Sequence, residues 1–182
     1  LTGNITTTEA IGFGLILSSS DSNTTNLTGN ITTTGAIAVG LVLLGSDSNT
    51  TTINGNIITS GTLAEAVVLE DSDSNTFILS GAVHSLGGDQ AISLDTDSQN
   101  NTFTFKRGVS FIGGLENSGG TTNKLIFDMG KASSYNIDTD ETTWTLEDPY
   151  KPIVSGSAKS MGVADIDNQA HILSRRMDPV ND

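Results

Sequence analysis

The chain repeats itself every 26 residues, and this period constrains its fold more than any other feature. The hexapeptides that begin at Leu1 and Leu27 both read Leu-Thr-Gly-Asn-Ile-Thr, and related segments begin at Ile53 and Leu79. A unit this short cannot bury a core alone, so successive copies have to stack on one another. We therefore expect function to depend on a long ribbed surface more than on one pocket.

The apolar pattern within one unit has a period of two residues, which is typical of β-strands. Leu27 and Ile31 alternate with polar residues, and a second alternating run follows from Ile37 to Leu43. Clusters of Gly, Ser, Asp and Asn separate the runs and predict turns. Two or three strands and two corners in 26 residues predict one coil of an all-β, right-handed parallel β-helix, a β-solenoid.

A β-sandwich also contains short alternating strands, but its strands have different neighbours and need not repeat. In a solenoid, equivalent residues stack on themselves about 4.8 Å apart. The repeat predicts one apolar row and one polar row of this kind. The apolar row is Ile5, Ile31, Ile57, Val83 and Val109, and the polar row is Asn23, Asn49, Asn75 and Asn101.

The Asn row predicts a structural ladder at one corner, in which each amide hydrogen-bonds the next coil and the turn backbone. A row of Asn that binds a glycan is the functional alternative. Two residues before each of the first three Asn stand Asp21, Asp47 and Asp73. Stacked carboxylates repel one another, so calcium binding by these three residues is one prediction. The alternative is that their side chains extend into water.

Charge is distributed unevenly along the chain. The first 105 residues contain ten acidic residues and no Lys or Arg, and the net charge of the whole chain is −13. Phosphates would be repelled, so nucleic acid is excluded as a partner of the repeats. There is no Cys, which excludes disulfides and thiolate metal sites.

Three segments follow from the way the pattern changes. Residues 1–104 are regular repeats. In residues 105–148 the repeat loosens and aromatic residues become frequent, so we expect a cap whose core is closed by Phe105, Phe111, Phe127 and Trp144. Residues 149–182 are expected to form a linker and an α-helix over about 165–177, because the apolar residues there recur at helical spacing. Those apolar residues are Ile166, Ala170, Leu173 and Met177.

The repeats, the aromatic segment around Trp144 and the run from Tyr150 to Met161 before a helix resemble the C-terminal part of a bacterial autotransporter passenger. The resemblance implies a rod that is displayed on the cell surface, held at the outer membrane or secreted, with residues 105–148 acting as an autochaperone-like segment. Its implied partner is the protein's own outer-membrane β-barrel translocator, which lies outside this sequence. Proteins or glycans of a host surface or of sister cells, and self-association, are further partners that it suggests.

Catalysis is not expected. The only histidines are His84 and His171, and neither has a Ser and Asp arrangement fixed by the sequence. A polysaccharide-acting β-helix enzyme is an alternative, but such sites use a basic residue and the repeats contain none. An ice-binding Thr array is another alternative, since Thr6 and Thr8 recur as Thr32 and Thr34. The next copies are Ile58 and Ser60, so this array ends after two coils.

Overall fold

The computed structural model describes residues 1–88, 90–128, 134–137, 144–147, 153–157 and 160–164. This part of the chain consists of strands, turns and loops. Most strands belong to three parallel sheets, and successive coils add one strand to each sheet. The predicted all-β solenoid of stacked coils is confirmed, with about five coils.

The strands are numbered along the chain and grouped here by sheet. Sheet 1 contains β1 (Ile5–Thr7), β4 (Ile31–Thr33), β7 (Ile57–Thr59), β10 (Ala82–Ser85) and β13 (Ser110–Ile112). Sheet 2 contains β2 (Phe13–Ser18), β5 (Val39–Leu44), β8 (Val67–Glu70), β11 (Gln90–Leu94) and β14 (Gly114–Asn117). Sheet 3 contains β3 (Thr24–Thr28), β6 (Thr50–Asn54), β9 (Thr76–Ser80), β12 (Thr102–Lys106), β15 (Lys124–Asp128) and β17 (Thr145–Glu147).

Equivalent residues of successive coils pair directly. Ile5 pairs with Ile31, and Ile31 pairs with Ile57. In sheet 3, Leu27 pairs with Ile53 in the same way. Inward-facing side chains therefore stack into columns, and these columns form one continuous hydrophobic core enclosed by the three sheets.

The predicted apolar row is wrong at its last member. Val83 pairs with Phe111, two residues beyond the expected Val109. The extra length lies in the turn that contains Gly108, where the N–H of Val109 donates to the carbonyl of Lys106. Val109 is still buried in the core, but as part of this corner and not as a strand residue.

The strand expected from Ile37 to Leu43 begins later than predicted. Ile37 lies in the loop before β5 and is exposed. Within sheet 2 the strict alternation is also interrupted: a Cβ on Gly40 would meet the inward side chain of Ile57, yet the next residue, Leu41, also belongs to the core. Two consecutive inward residues are the sign of a local bulge, which period-two reasoning does not anticipate.

Two corner positions need unusual backbone. Gly29 has φ of 142°, and a Cβ there would lie 2.1 Å from the carbonyl oxygen of Gly3, so a side chain is excluded by the coil beside it. The central Ser of each Asp-Ser-Asn-Thr segment is left-handed, with φ near 58° at Ser22 and Ser48. Asn100 takes this position in the fourth coil, and Asn tolerates it better than Ser.

Three further strands form an antiparallel sheet of their own: β16 (Ser134–Ile137), β18 (Ile153–Ser157) and β19 (Ser160–Ala164). A strand was expected at residues 134–137, but β18 and β19 were not, since that stretch was predicted to be a linker. The helix predicted over 165–177, and His171 within it, lie outside the described residues.

Candidate functional site: corner ladders and outward faces

The corner between sheets 2 and 3 carries a ladder of buried Asn side chains. The N–H of Asn49 donates to Oδ1 of Asn75 at 2.8 Å, and the N–H of Asn75 donates to Oδ1 of Asn101 at 2.9 Å. The ladder also includes Asn23, whose N–H donates to Asn49. It continues one step beyond the predicted row, because the N–H of Asn101 donates to Oδ1 of Asn123 at 2.8 Å.

The other end of each buried amide is also engaged. Nδ2 of Asn75 donates to the carbonyl of Ser46 at 2.8 Å, and Nδ2 of Asn101 donates to the carbonyl of Ser72 at 2.8 Å. Asn75 is only 1% exposed. The structure therefore spends these amides on joining coils, which leaves them no free polar group to present to a glycan.

The Asp row makes a second ladder, of opposite direction, on the exposed side of this corner. Oδ1 of Asp21 accepts from the N–H of Asp47 at 2.9 Å, and Oδ1 of Asp47 accepts from the N–H of Asp73 at 2.8 Å. Asp73 in turn accepts from the N–H of Gln99. One oxygen of each carboxylate thus caps the backbone of the next coil. Calcium binding by this row stays a prediction.

Two ladders were missed in the sequence. Ser46 N–H donates to Oγ of Ser72 at 3.0 Å, and the same bond recurs one coil earlier and one coil later. At the corner between sheets 3 and 1, Oδ1 of Asn30 accepts from the N–H of Asn56 at 2.9 Å. Both rows have the 26-residue spacing, so the signal that revealed Asn75 was present for them as well.

Three carboxylates outside the Asp row come close together. One oxygen each of Asp71, Asp95 and Asp97 lies within 4.8 Å of the others. Oδ2 of Asp95 accepts from the N–H of Asp71 at 3.1 Å, which explains part of this arrangement. Asp95 and Asp97 belong to the fourth coil, where an inserted residue breaks the repeat, so no row predicted the cluster.

The one His and Ser pair in the described residues lies on the outward face of sheet 1. Nε2 of His84 is 3.0 Å from Oγ of Ser110. Burial lowers the pKa of His84 below its ordinary value of 6.5, so the ring is neutral at neutral pH. No hydrogen-bond partner for Nδ1 is found in the described part of the chain, so the third member of a catalytic triad is missing there.

The aromatic residues meet at the C-terminal end of the solenoid, where the cap was predicted. The ring of Phe105 contacts those of Phe111 and Phe127, with centroids 4.8 and 5.5 Å apart. Trp144 packs edge-on against Phe103 at 5.8 Å, and its Nε1 donates to the carbonyl of Leu115 at 2.9 Å. Sheet 3 extends past the other two sheets here, so these rings fill the core beyond the last regular coil.

Threonines form a longer row than expected, but on a different sheet. The row predicted from Thr6 and Thr32 continues into Ile58 and His84. On the outward face of sheet 3, four threonines stand in consecutive register. They are Thr24, Thr50, Thr76 and Thr102.

Comparisons with known proteins identify no relative: no family model, no curated protein and no solved structure matches this chain. Within the described residues there is no helix that is both long and apolar enough to cross a membrane.

Proposed function

We propose that this chain is the C-terminal part of a bacterial autotransporter passenger and serves as a structural stalk or adhesin without catalytic chemistry. The observation that carries the proposal is how the corner polar groups are used. Asn, Ser and Asp side chains that a binding or catalytic site would present are instead committed to hydrogen bonds between coils, as for Asn75 and Ser72. Such a surface suits a rod that displays or spaces other groups.

The finer architecture belongs to the same proposal. We propose right-handed coils of about 26 residues throughout the repeats, and an amphipathic helix over residues 165–177 that leads toward a translocator barrel. The rows that pair at this spacing support the coil length, while the shorter step of 22 residues between Asn101 and Asn123 marks where the repeats give way to the cap.

The reading frame downstream of Asp182 tests the secretion route. We expect a segment of alternating apolar residues that codes for an outer-membrane barrel. Protease treatment of intact bacteria that express the whole frame should then remove the solenoid from the cell surface. A frame that ends without a barrel, or a solenoid protected inside intact cells, would contradict the proposal.

Ice binding is a second candidate function, because one observation favours it over the polysaccharide enzyme. The Thr row of sheet 3 places one hydroxyl and one methyl group per coil at the strand spacing of about 4.8 Å. We infer that, if this face orders water, Thr50→Lys and Thr76→Lys remove a thermal hysteresis that the unmodified chain shows. Absence of hysteresis in the unmodified chain eliminates this candidate.

A further inference from the structure

Large aliphatic side chains are exposed in a row along the loops between sheets 1 and 2. The exposed fractions are 67% for Ile11, 47% for Ile37, 66% for Leu63 and 54% for Leu86. We call these four residues the corner ridge. Apolar side chains scattered singly on a surface need no explanation, but a contiguous row of them is a sign of an interaction site.

The backbone holds the corner ridge in place. The N–H of Ile37 donates to the carbonyl of Ala10, and the N–H of Leu63 donates to the carbonyl of Ala36, both at 2.9 Å. Leu86 is tied in the same way to Thr59 of the preceding coil at 2.8 Å. The rungs are therefore about 4.8 Å apart, and three steps span about 14 Å. A preformed ridge of this kind loses little conformational freedom when a partner binds.

A shallow depression of about 210 Å³ lies beside the ridge. Its lining consists of Thr62, Leu63, Glu65 and Gln90. The depression gives a partner side chain a place to enter next to Leu63, so the surface is not a bare edge.

Charge around the ridge limits what can bind. Glu9 is exposed two residues before Ile11, and Glu65 follows Leu63 at the same distance. The first 105 residues contain no Lys or Arg to balance them. A second copy of this solenoid face would bring acid against acid, and an anionic membrane would be repelled.

We propose that the corner ridge binds a cationic amphipathic helix of another protein. A helix repeats every 5.4 Å along its axis, close to the rung spacing of the ridge, so a helix lying along the solenoid can place one apolar side chain between successive rungs over about ten residues. Its Lys or Arg side chains then face Glu9 and Glu65. The proposal does not depend on the secretion route.

The test uses the full chain and a fluorescently labelled synthetic peptide of Leu and Lys arranged at helical spacing. The matched control peptide has the same composition in scrambled order, which keeps its charge and removes the apolar stripe. We expect the scrambled peptide to bind at least about tenfold more weakly. Leu63→Ser and Ile37→Ser should each weaken binding of the amphipathic peptide several-fold, with circular dichroism unchanged.

Ile112→Ser is the control variant, because Ile112 is 46% exposed, nearly as much as Ile37, but lies on the outward face of β13. It should leave binding unchanged. Equal affinity for the two peptides would show that charge alone attracts them, and would overturn the proposal. So would binding that appears only after residues 165–182 are removed, since the ridge would then belong to the chain's own C-terminal segment.

Discussion

Replacing Asn75 by Ala tests what one rung of the Asn ladder contributes. Oδ1 of Asn75 accepts from the N–H of Asn49, and its Nδ2 donates to the carbonyl of Ser46 at 2.8 Å. Alanine removes both partners and leaves two main-chain groups unpaired in a buried corner. Each unsatisfied buried group costs about 1–3 kcal/mol, so the free energy of unfolding should fall by about 4 kcal/mol.

The matched control is Asn23→Ala, because Asn23 occupies the same row in the first coil. It is exposed, and its Nδ2 donates only to the carbonyl of Asp21 at 3.1 Å. Losing one exposed bond should cost about 0.5–1 kcal/mol.

Urea unfolding followed by circular dichroism measures both variants. The ladder argument requires that the midpoint of Asn75→Ala lies well below that of Asn23→Ala. Equal midpoints would refute it, because they would mean that burial and coil-to-coil pairing add nothing to the bond.

Three other predictions concern different parts of the core and surface. Trp144→Ala removes a buried ring and its bond to Leu115, and should lower the free energy of unfolding by about 3–5 kcal/mol, as measured by urea midpoints; an unchanged midpoint would contradict its capping role. Thr33→Val should raise stability by about 1 kcal/mol, because the buried Oγ1 of Thr33 has no hydrogen-bond partner, whereas Thr32→Val on the outward side should not. The lowered pKa of His84 means that protonation favours the unfolded chain. Its contribution is therefore complete above pH 6.5 and is lost as the pH falls through the lowered pKa, so His84→Gln should reduce the acid sensitivity of the unfolding midpoint.

The rows that could be predicted from the sequence are those in which a residue stacks on an identical copy of itself. Asn75 lies between Asn49 and Asn101 in the chain's own period, and the structure places them one above another. Self-stacking fixes register without any knowledge of the rest of the fold, because a slip of one residue would turn inward side chains outward.

Prediction failed where the repeat does not determine the backbone. Two additional residues in the turn around Gly108 replaced Val109 by Phe111 as the partner of Val83, and only the geometry of that turn reveals which residue resumes the strand. Ile37 was assigned to a strand because it is apolar and in phase, although its loop leaves it exposed.

The candidate surfaces were less predictable than the core. The corner ridge consists of residues that look like core residues in the sequence, and only their exposure distinguishes them. Asn123 extends the Asn ladder at a spacing of 22 residues, which no fixed period would include. Its position depends on shortened turns, whose geometry is set by contacts between coils.

Disulfide trapping tests the central claim, that equivalent residues of neighbouring coils lie directly beside each other. The chain has no Cys of its own, so a pair can be introduced without background. Thr52 and Ile78 are direct partners in sheet 3, and Thr104 is the partner of Ile78 on its other side. A disulfide requires Cα atoms within about 4.4–6.8 Å, which adjacent strands satisfy and strands two apart do not. The solenoid predicts that Thr52→Cys with Ile78→Cys forms a disulfide on mild oxidation of the folded chain, and that Thr52→Cys with Thr104→Cys does not. Bridging of the second pair in preference to the first would contradict the stacking of coils.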